Sequence, residues 1–281
     1  MILLADSGSS KTDWALLAEN KLLDFVSSAG INPFFQSEQD ILQIAETTFD
    51  PLNIAEKVTS IFFYGTGCVK DLNTDVVSNG LKQFFQKAEI VVEDDMLGAA
   101  RAMFGNQKGI GCILGTGANS CKYDGQNIVE KIPTLGYILG DEASGAYFGK
   151  ILINNYFKKI MPDNLSDKFQ IQFQPELGDV LSRVYKQPLA NRYLAKFTHF
   201  LSENIYHEYI QEILLEGFRE FLSRNVSKYN DYQSYPVGFV GSIAYHFSDL
   251  LKKAGQSFNI NINQIIDKPI NGLVVYHTKI V

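Results

Sequence analysis

Asp6, Lys11 and Asp95 are the side chains whose types and surroundings best suit them to chemistry. Asp6 closes the apolar run Ile2 to Ala5. The small-residue turn Ser7-Gly8-Ser9-Ser10 follows, and then Lys11 and Thr12 open a second apolar run. Glycine and serine let backbone amides approach phosphate oxygens, the hydroxyls add donors, and the lysine supplies a positive charge. Asp6 at the head of such a turn suits a magnesium ion held through water. A Walker A loop is excluded, because GxxxxGK[ST] is absent and the turn leads to a strand rather than a helix. A second turn, Gly115-Thr116-Gly117-Ala118-Asn119, again offers glycine amides and a hydroxyl. Either turn alone is equally well explained as a tight hairpin. Their equivalent positions in an internal repeat favour a pair that grips one polyphosphate from opposite sides.

The strand-like run IVVEDD ends in three acids just before MLGAARAMF, which reads as a helix. Alternation along a strand places Glu93 and Asp95 in one direction and Asp94 in the other. Asp95 falls where a helix N-cap belongs, and capping is one reading of it. The other makes it a general base, accepting the proton of a substrate hydroxyl that attacks a γ-phosphate. Further along, Thr134-Leu135-Gly136-Tyr137-Ile138-Leu139-Gly140-Asp141-Glu142-Ala143-Ser144-Gly145 sets two acids among glycines. The acids suit the start of a helix. The glycines also suit a backbone passing close to a ligand whose hydroxyls Asp141 and Glu142 bind. The run Val237 to Val240 ends in Gly241-Ser242 at a helix start, where a nucleotide base or ribose fits, although close helix–strand packing explains that glycine equally well.

These residues need elements to hold them. The segment from Ile2 to Ser27 has three apolar runs separated by turn chemistry, a β-meander, and the segment from Ile110 to Ile132 repeats the plan with Asp124-Gly125 as a hairpin dipeptide. After the first meander the patterns predict a helix at Ser37–Phe49, a strand at Ser60–Tyr64, a helix at Leu72–Lys87 and a strand at Ile90–Glu93. After the second they predict a helix at Asp141–Ile160, a helical region from Leu177 to about Val226, a strand at Val237–Val240, a helix at Ser242–Ala254 and a strand at Phe258–Ile262. The proline-containing stretch Met161 to Pro175 reads as a surface insertion, and Gly105 to Gly109 as a hinge. A meander plus βαβα, occurring twice, predicts two α/β domains, 1–107 and 108–281, with helical insertion over about 155–230, and an interdomain cleft as the ligand site. Terminal helices in such duplications often cross back, so the last segment is open to returning to the first domain.

At 281 residues, with 46% hydrophobic and 20% charged, the chain can build sizeable cores. A net charge of −6 provides no basic field for nucleic acid or an anionic membrane, so an anionic ligand must be gripped locally. Cys68, Cys112 and Cys121 are an odd number without CxxC spacing, which argues against a disulfide framework and a thiolate zinc site and for a reducing compartment. The apolar start is interrupted by Asp6 and lacks a basic leader, and no stretch approaches a membrane span, so a cytoplasmic protein is expected. His199, His207, His246 and His277 have no metalloprotease spacing, and no GxSxG elbow is present.

With DSGSSKTDW, the acids before a helix, LGTGAN, LGDEASG and VGSIA in this order, the chain resembles the BadF/BadG/BcrA/BcrD-type ATPases and the related N-acetylglucosamine kinases over essentially its whole length. These belong to the sugar kinase, heat-shock chaperone and actin superfamily. The resemblance implies two ribonuclease H-like domains in an actin-like ATPase fold, with ATP and Mg²⁺ as cofactors and a sugar as acceptor. It makes Asp6 the metal residue, and Gly8, Ser9, Ser10, Lys11 and Thr12 the first phosphate motif. Gly115, Thr116 and Gly117 become the second phosphate motif, and Gly241 and Ser242 the adenosine motif. Asp95 matches the catalytic aspartate, which takes the proton of the sugar 6-hydroxyl, while Asn32, Asn119, Gly136, Asp141 and Glu142 form the sugar site. Two departures stand out. The kinases usually carry a tryptophan in a Gly-Trp-Gly run where this chain has Thr134-Leu135-Gly136, and Ala143 replaces a glycine after Glu142. The identity of the sugar is therefore less determined than the reaction type. Two other readings stay open. One is an ATPase activator of a dehydratase or reductase, which in that branch bridges two protomers through an iron–sulfur cluster. The other is a nucleotide-gated binding protein without catalysis. A homodimer is compatible with each.

Overall fold

The computed structural model describes residues 1–8 and 10–280, and it divides into two compact units. The first comprises Met1–Gln107, Tyr123–Ile128 and Lys268–Val281; the second comprises Lys108–Lys122 and Val129–Asp267.

The meander of the first unit is β1 (Ile2–Ser7), β2 (Lys11–Ala18) and β3 (Lys21–Ala29). Helix α1 (Glu38–Phe49) then leads to β4 (Ser60–Gly65), and α2 (Thr74–Phe84) to β5 (Glu89–Asp94). The sheet order is β3-β2-β1-β4-β5, with β1, β2 and β3 antiparallel and β1, β4 and β5 parallel. The inner strands are apolar on both faces because both faces are covered. On one face Trp14, Phe49, Phe63 and Phe85 interlock with Ile41 and Leu81. Trp14 meets Phe49 edge-on at 5.1 Å between ring centroids, and truncating so large a buried ring costs about 3–5 kcal/mol. On the other face lie α3 (Asp95–Phe104) and, after the chain has passed through the second unit, α13 (Ile270–Ile280). There Ile270 and Leu273 pack on Leu4, Ala15 and Leu17. Tyr64 bolts this layer: its hydroxyl accepts from Arg101 Nη1 at 2.9 Å and lies 2.9 Å from His277 Nε2. Burial, with Arg101 nearby, pushes His277 down to about 4.

The second unit repeats the plan with β6 (Gly109–Leu114), β7 (Ala118–Tyr123), β8 (Ile128–Lys131), β9 (Val237–Val240) and β10 (Ile262–Ile266), in the order β10-β9-β6-β7-β8. Offset by five, each strand occupies the place of its counterpart in the first sheet. Between β8 and β9 come α4 (Gly136–Leu139), α5 (Gly145–Phe157), α6 (Asp163–Phe173), α7 (Leu177–Tyr185), α8 (Ala190–Ala195), α9 (His199–Glu203) and α10 (Glu208–Arg224). Helices α11 (Ser242–His246) and α12 (Ser248–Gln256) then lead to β10. The core runs through Phe148, Leu152, Phe169, Phe200, Phe218 and Phe239. Among the described residues no helix is long and apolar enough to cross a membrane.

Several expectations shift. Met161 to Pro175 is largely helix α6, and it is not confined to the surface: its Leu165 and Phe169 are fully buried in the core. The helical region expected from Leu177 to about Val226 consists of several helices, with Leu189 in a left-handed conformation at one of the breaks. The helix expected at Ser242–Ala254 divides at Phe247. The last strand is Ile262–Ile266 rather than Phe258–Ile262: Gly255, Asn259 and their neighbours form the turn that closes α12, so the apolar run enters the sheet later.

Candidate active site

In the first unit, β1 and β2 run side by side with Asp6 opposite Asp13 and Ser7 opposite Thr12. The phosphate-type turn is thus a hairpin, closed by Gly8 N donating to Lys11 O at 3.0 Å. Thr12 turns its hydroxyl inward: it is fully buried, 2.7 Å from Ser7 Oγ, and donates to Ala29 O. That hydroxyl ties three chain segments together instead of facing outward with Gly8 and Ser10. Ser9, expected among the phosphate ligands, lies outside the described residues. Lys11 Nζ rests 2.6 Å from Asp13 Oδ1.

The helix after β5 begins one residue earlier than its chemistry suggested. Asp94, not Asp95, is the N-cap of α3, accepting from Met96 N at 2.9 Å. Asp94 has the extended backbone a cap requires, and Asp95 is the first helical residue. Capping therefore does not explain Asp95. Asp95 is close enough to Asp6 for its charge to be felt there. Burial chiefly, then Asp95 and Asp13, push the Asp6 carboxyl up to about 7 against the opposing pull of Lys268. Carboxylates crowded in this way favour a cation among them. Among the described residues no group of three or more His, Cys, Asp or Glu side chains is arranged to cage a metal. Asp6 with Asp95 nearby nevertheless fits Mg²⁺, which takes one or two carboxylates and completes its shell with water and substrate phosphates.

Asn32 is also in this unit and is buried. Its Oδ1 accepts from Phe34 N at 3.0 Å, and its backbone N–H donates to Gln36 Oε1 at 2.7 Å. Gly67 holds a positive φ of 76°, and a Cβ there would stand 2.5 Å from Asn32 Oδ1, so the loop after β4 can cradle this asparagine only with glycine.

In the second unit, the structure brings together motifs that are distant in sequence. Asp141 is buried against the second turn. It accepts from the Ala118 backbone, and its Oδ2 lies 3.1 Å from where a Cβ of Gly117 would be. Burial chiefly, and Glu142, push the Asp141 carboxyl up to about 6, opposed by the Ala118 hydrogen bond and by Lys150. Asp141 and Glu142 do not start a helix: α5 begins at Gly145 with Ser144 as its cap, while Asp141 (φ 56°) and Ala143 (φ 58°) are left-handed. Left-handed non-glycine residues cost about 1–2 kcal/mol each and concentrate at functional turns. Glu142 is engaged on both oxygens, accepting from Asn225 Nδ2 at 3.3 Å and facing Arg224 Nη1 at 3.7 Å. Gly136 follows the left-handed Leu135, and Leu135, Ile138 and Leu139 are all exposed. Asn119 is partly exposed, and its Oδ1 accepts from Ser120 N.

The carbonyls of Gly115 and Thr116 accept from Gly145 N and Ala146 N, joining the second turn to the start of α5. Gly115, Thr116 and Ser242 line a cavity of about 410 Å³ with Thr198, His199, Ser202 and His246. The sequence offered no signal for those last four, which come from α9, α11 and the segment before α9. Gly241 beside them has φ 114°, and a Cβ there would lie 2.5 Å from Leu114 O. Close packing onto β6 thus accounts for this glycine. A larger cavity of about 630 Å³ at Arg101, Asn106 and Tyr276 in the first unit contains none of the expected site residues.

Two α/β units of identical strand order, one presenting a carboxylate-lined hairpin turn and the other a glycine turn beside a cavity, have the actin-like fold. Neither family models nor curated protein sequences match the chain. Solved structures do. A protein of Porphyromonas gingivalis described as a candidate N-acetylglucosamine kinase matches with a TM-score of 0.95 at 36% identity over 99% of both chains. A candidate N-acetylglucosamine kinase of Chromobacterium violaceum matches with a TM-score of 0.75 at 16% identity over 98% of each chain. A ROK family glucokinase of Streptomyces griseus, in complex with glucose and AMPPNP, matches with a TM-score of 0.58 at 14% identity over 100% of this chain and 98% of that one. The latter two share the fold. The first shows the family: the chain belongs to the N-acetylglucosamine kinase-like branch of the sugar kinase, heat-shock chaperone and actin superfamily.

Proposed function

We propose that this protein is an ATP-dependent kinase that phosphorylates the 6-hydroxyl of N-acetylglucosamine or a related amino sugar. The observation that carries the reading is Asp95. It stands at the carboxyl end of a sheet strand, relieved of capping by Asp94, with its charge bearing on Asp6. In this reading Asp95 takes the proton of the attacking hydroxyl. The hydroxyl oxygen bonds to the γ-phosphorus as the bond to the β,γ-bridging oxygen breaks, and ADP leaves. Asp6 would hold Mg²⁺ through water, and the ion supplies positive charge to the phosphate oxygens. Gly8, Ser9, Ser10 and Lys11 serve the polyphosphate in the first unit, and Gly115, Thr116 and Gly117 in the second. Ser242 serves the adenosine, whose pocket is the 410 Å³ cavity, and Gly241 lets the chain pass close to Leu114 beside it. Asn32, Asn119 and Asp141 orient the sugar. Gly136 supplies backbone close to it, and Glu142, held by Arg224 and Asn225, keeps the Asp141 turn in place.

All three cysteines are buried, and burial pushes Cys68 up to about 12 and raises Cys112 well above its ordinary range. Thiols in that state weigh against an iron–sulfur activator, which needs accessible thiolates. The test is ADP release over a panel of sugars by the wild type and by Asp95→Asn. The proposal predicts sugar-dependent turnover that falls by about two or more orders of magnitude in the variant while nucleotide binding persists. ADP release no faster with any sugar than without would sink it, and unchanged turnover in the variant would remove Asp95 from its role.

A further inference from the structure

Asp13 stands at the centre of a three-charge arrangement that the phosphate turn does not by itself require. Its Oδ1 meets Lys11 Nζ at 2.6 Å and accepts from Ser27 Oγ at 2.9 Å, while its Oδ2 faces Lys268 Nζ at 3.4 Å. The Asp13 side chain is 17% exposed, whereas Lys11 and Lys268 are 51% and 50% exposed. The three line one cavity of about 270 Å³ with Phe25 and Ile270. Lys268 arrives from the other end of the chain, just before α13.

Lys11 reaches a polyphosphate beyond Asp13 only by swinging its Nζ outward, which gives up the 2.6 Å contact with Asp13 Oδ1. When it leaves, Asp13 remains a largely covered carboxylate directly across the β1–β2 pairing from Asp6. A covered charge that loses its partner is costly. Lys268 is the cation already in place at the other carboxylate oxygen, and a lysine on a flexible stem closes a gap of 3.4 Å without backbone movement.

We propose that Lys268 is a positioning residue for Lys11: it takes over the Asp13 carboxylate when Lys11 turns to a polyphosphate, making Asp13 a parking site rather than a permanent partner. The inference rests on the ATP reading above. Without Lys268, Lys11 is held on Asp13 and polyphosphate binding weakens. Without Asp13 as well, Lys11 is released and binding returns.

The test measures AMPPNP and AMP affinities by calorimetry for the wild type, Lys268→Met, Lys268→Arg, Lys11→Met and the double variant Asp13→Asn/Lys268→Met. One charge-assisted contact to phosphate is worth about tenfold in affinity. We expect Lys268→Met to bind AMPPNP about tenfold more weakly than the wild type while keeping its AMP affinity, Lys268→Arg to bind within about threefold, and the double variant to recover most of the loss. Lys11→Met sets the floor. A general structural defect would weaken AMP and AMPPNP together and would not be cured by removing Asp13, so that result overturns the proposal. Wild-type-like AMPPNP binding by Lys268→Met overturns it while leaving the kinase reading standing. A wild type that binds no AMPPNP removes both.

Discussion

Replacing Asp6 with asparagine should stabilise the free protein while destroying its activity, and the gain should depend on pH in a defined direction. In the folded chain burial and the charges of Asp95 and Asp13 push Asp6 up to about 7 from an ordinary 3.8. Between about pH 4 and pH 7 the folded protein therefore holds a proton that the unfolded chain has lost. The contribution of Asp6 to wild-type stability falls as pH rises through that window and levels off above it. A shift of about three units corresponds to about 4 kcal/mol, which relaxation and penetrating water reduce to about 2–4 kcal/mol. Asparagine keeps the shape and carries no charge to desolvate. For a chain of this size each kcal/mol moves the midpoint by about 2–4 °C, so Asp6→Asn should melt about 5–10 °C higher at pH 8 and equally at pH 4. Scanning calorimetry of both proteins over pH 4 to 8, without nucleotide, measures the difference. Turnover should fall by about two orders of magnitude if Asp6 holds the metal. A midpoint difference that is constant across pH, or a variant less stable at pH 8, would refute the crowding of carboxylates around Asp6.

Two further outcomes concern the frame around the site. Gly241→Ala forces a side chain into φ 114° and into the Leu114 carbonyl, so it should cost at least about 2 kcal/mol, read as a lower urea midpoint of the second unit. His277, pushed down to about 4 by burial and by Arg101, is neutral in the folded protein, whereas the unfolded chain takes up a proton near 6.5. Its contribution is complete above about pH 6.5 and is lost as pH falls toward 4, so the stability difference between the wild type and His277→Gln should shift against the wild type as pH falls from 7 to 5 in chemical denaturation. An unchanged pH slope would mean that His277 is not the buried neutral partner of Tyr64.

Much of the fold was legible in the chain. The meanders, the alternating helices and strands and the Gly-Ser turns are written in neighbouring residues, where apolar periodicity and turn chemistry act locally. The misread positions are those where packing overrode local preference. Asp95 looked like a cap, but the helix is capped by Asp94, and the tertiary position of β5 settled which of two adjacent acids took that task. Asp141 and Glu142 looked like a helix start, but Asp141 is drawn into a left-handed turn against Ala118, which no local pattern encodes. Met161 to Pro175 reads as polar on average, yet Leu165 and Phe169 at helical spacing reach the core.

The sequence by itself determined the two glycine turns, their recurrence, and an acid at the end of the right strand, because each of these depends on residues only a few positions apart. Only the tertiary structure decided that Asp6, Asp95 and Asp13 share one electrostatic field, that Lys268 from the far end of the chain reaches the same carboxylate as Lys11, and that Asp141 packs under Gly117. Coulomb forces and burial act through space, and neighbours in space are chosen by how the sheets and helices pack.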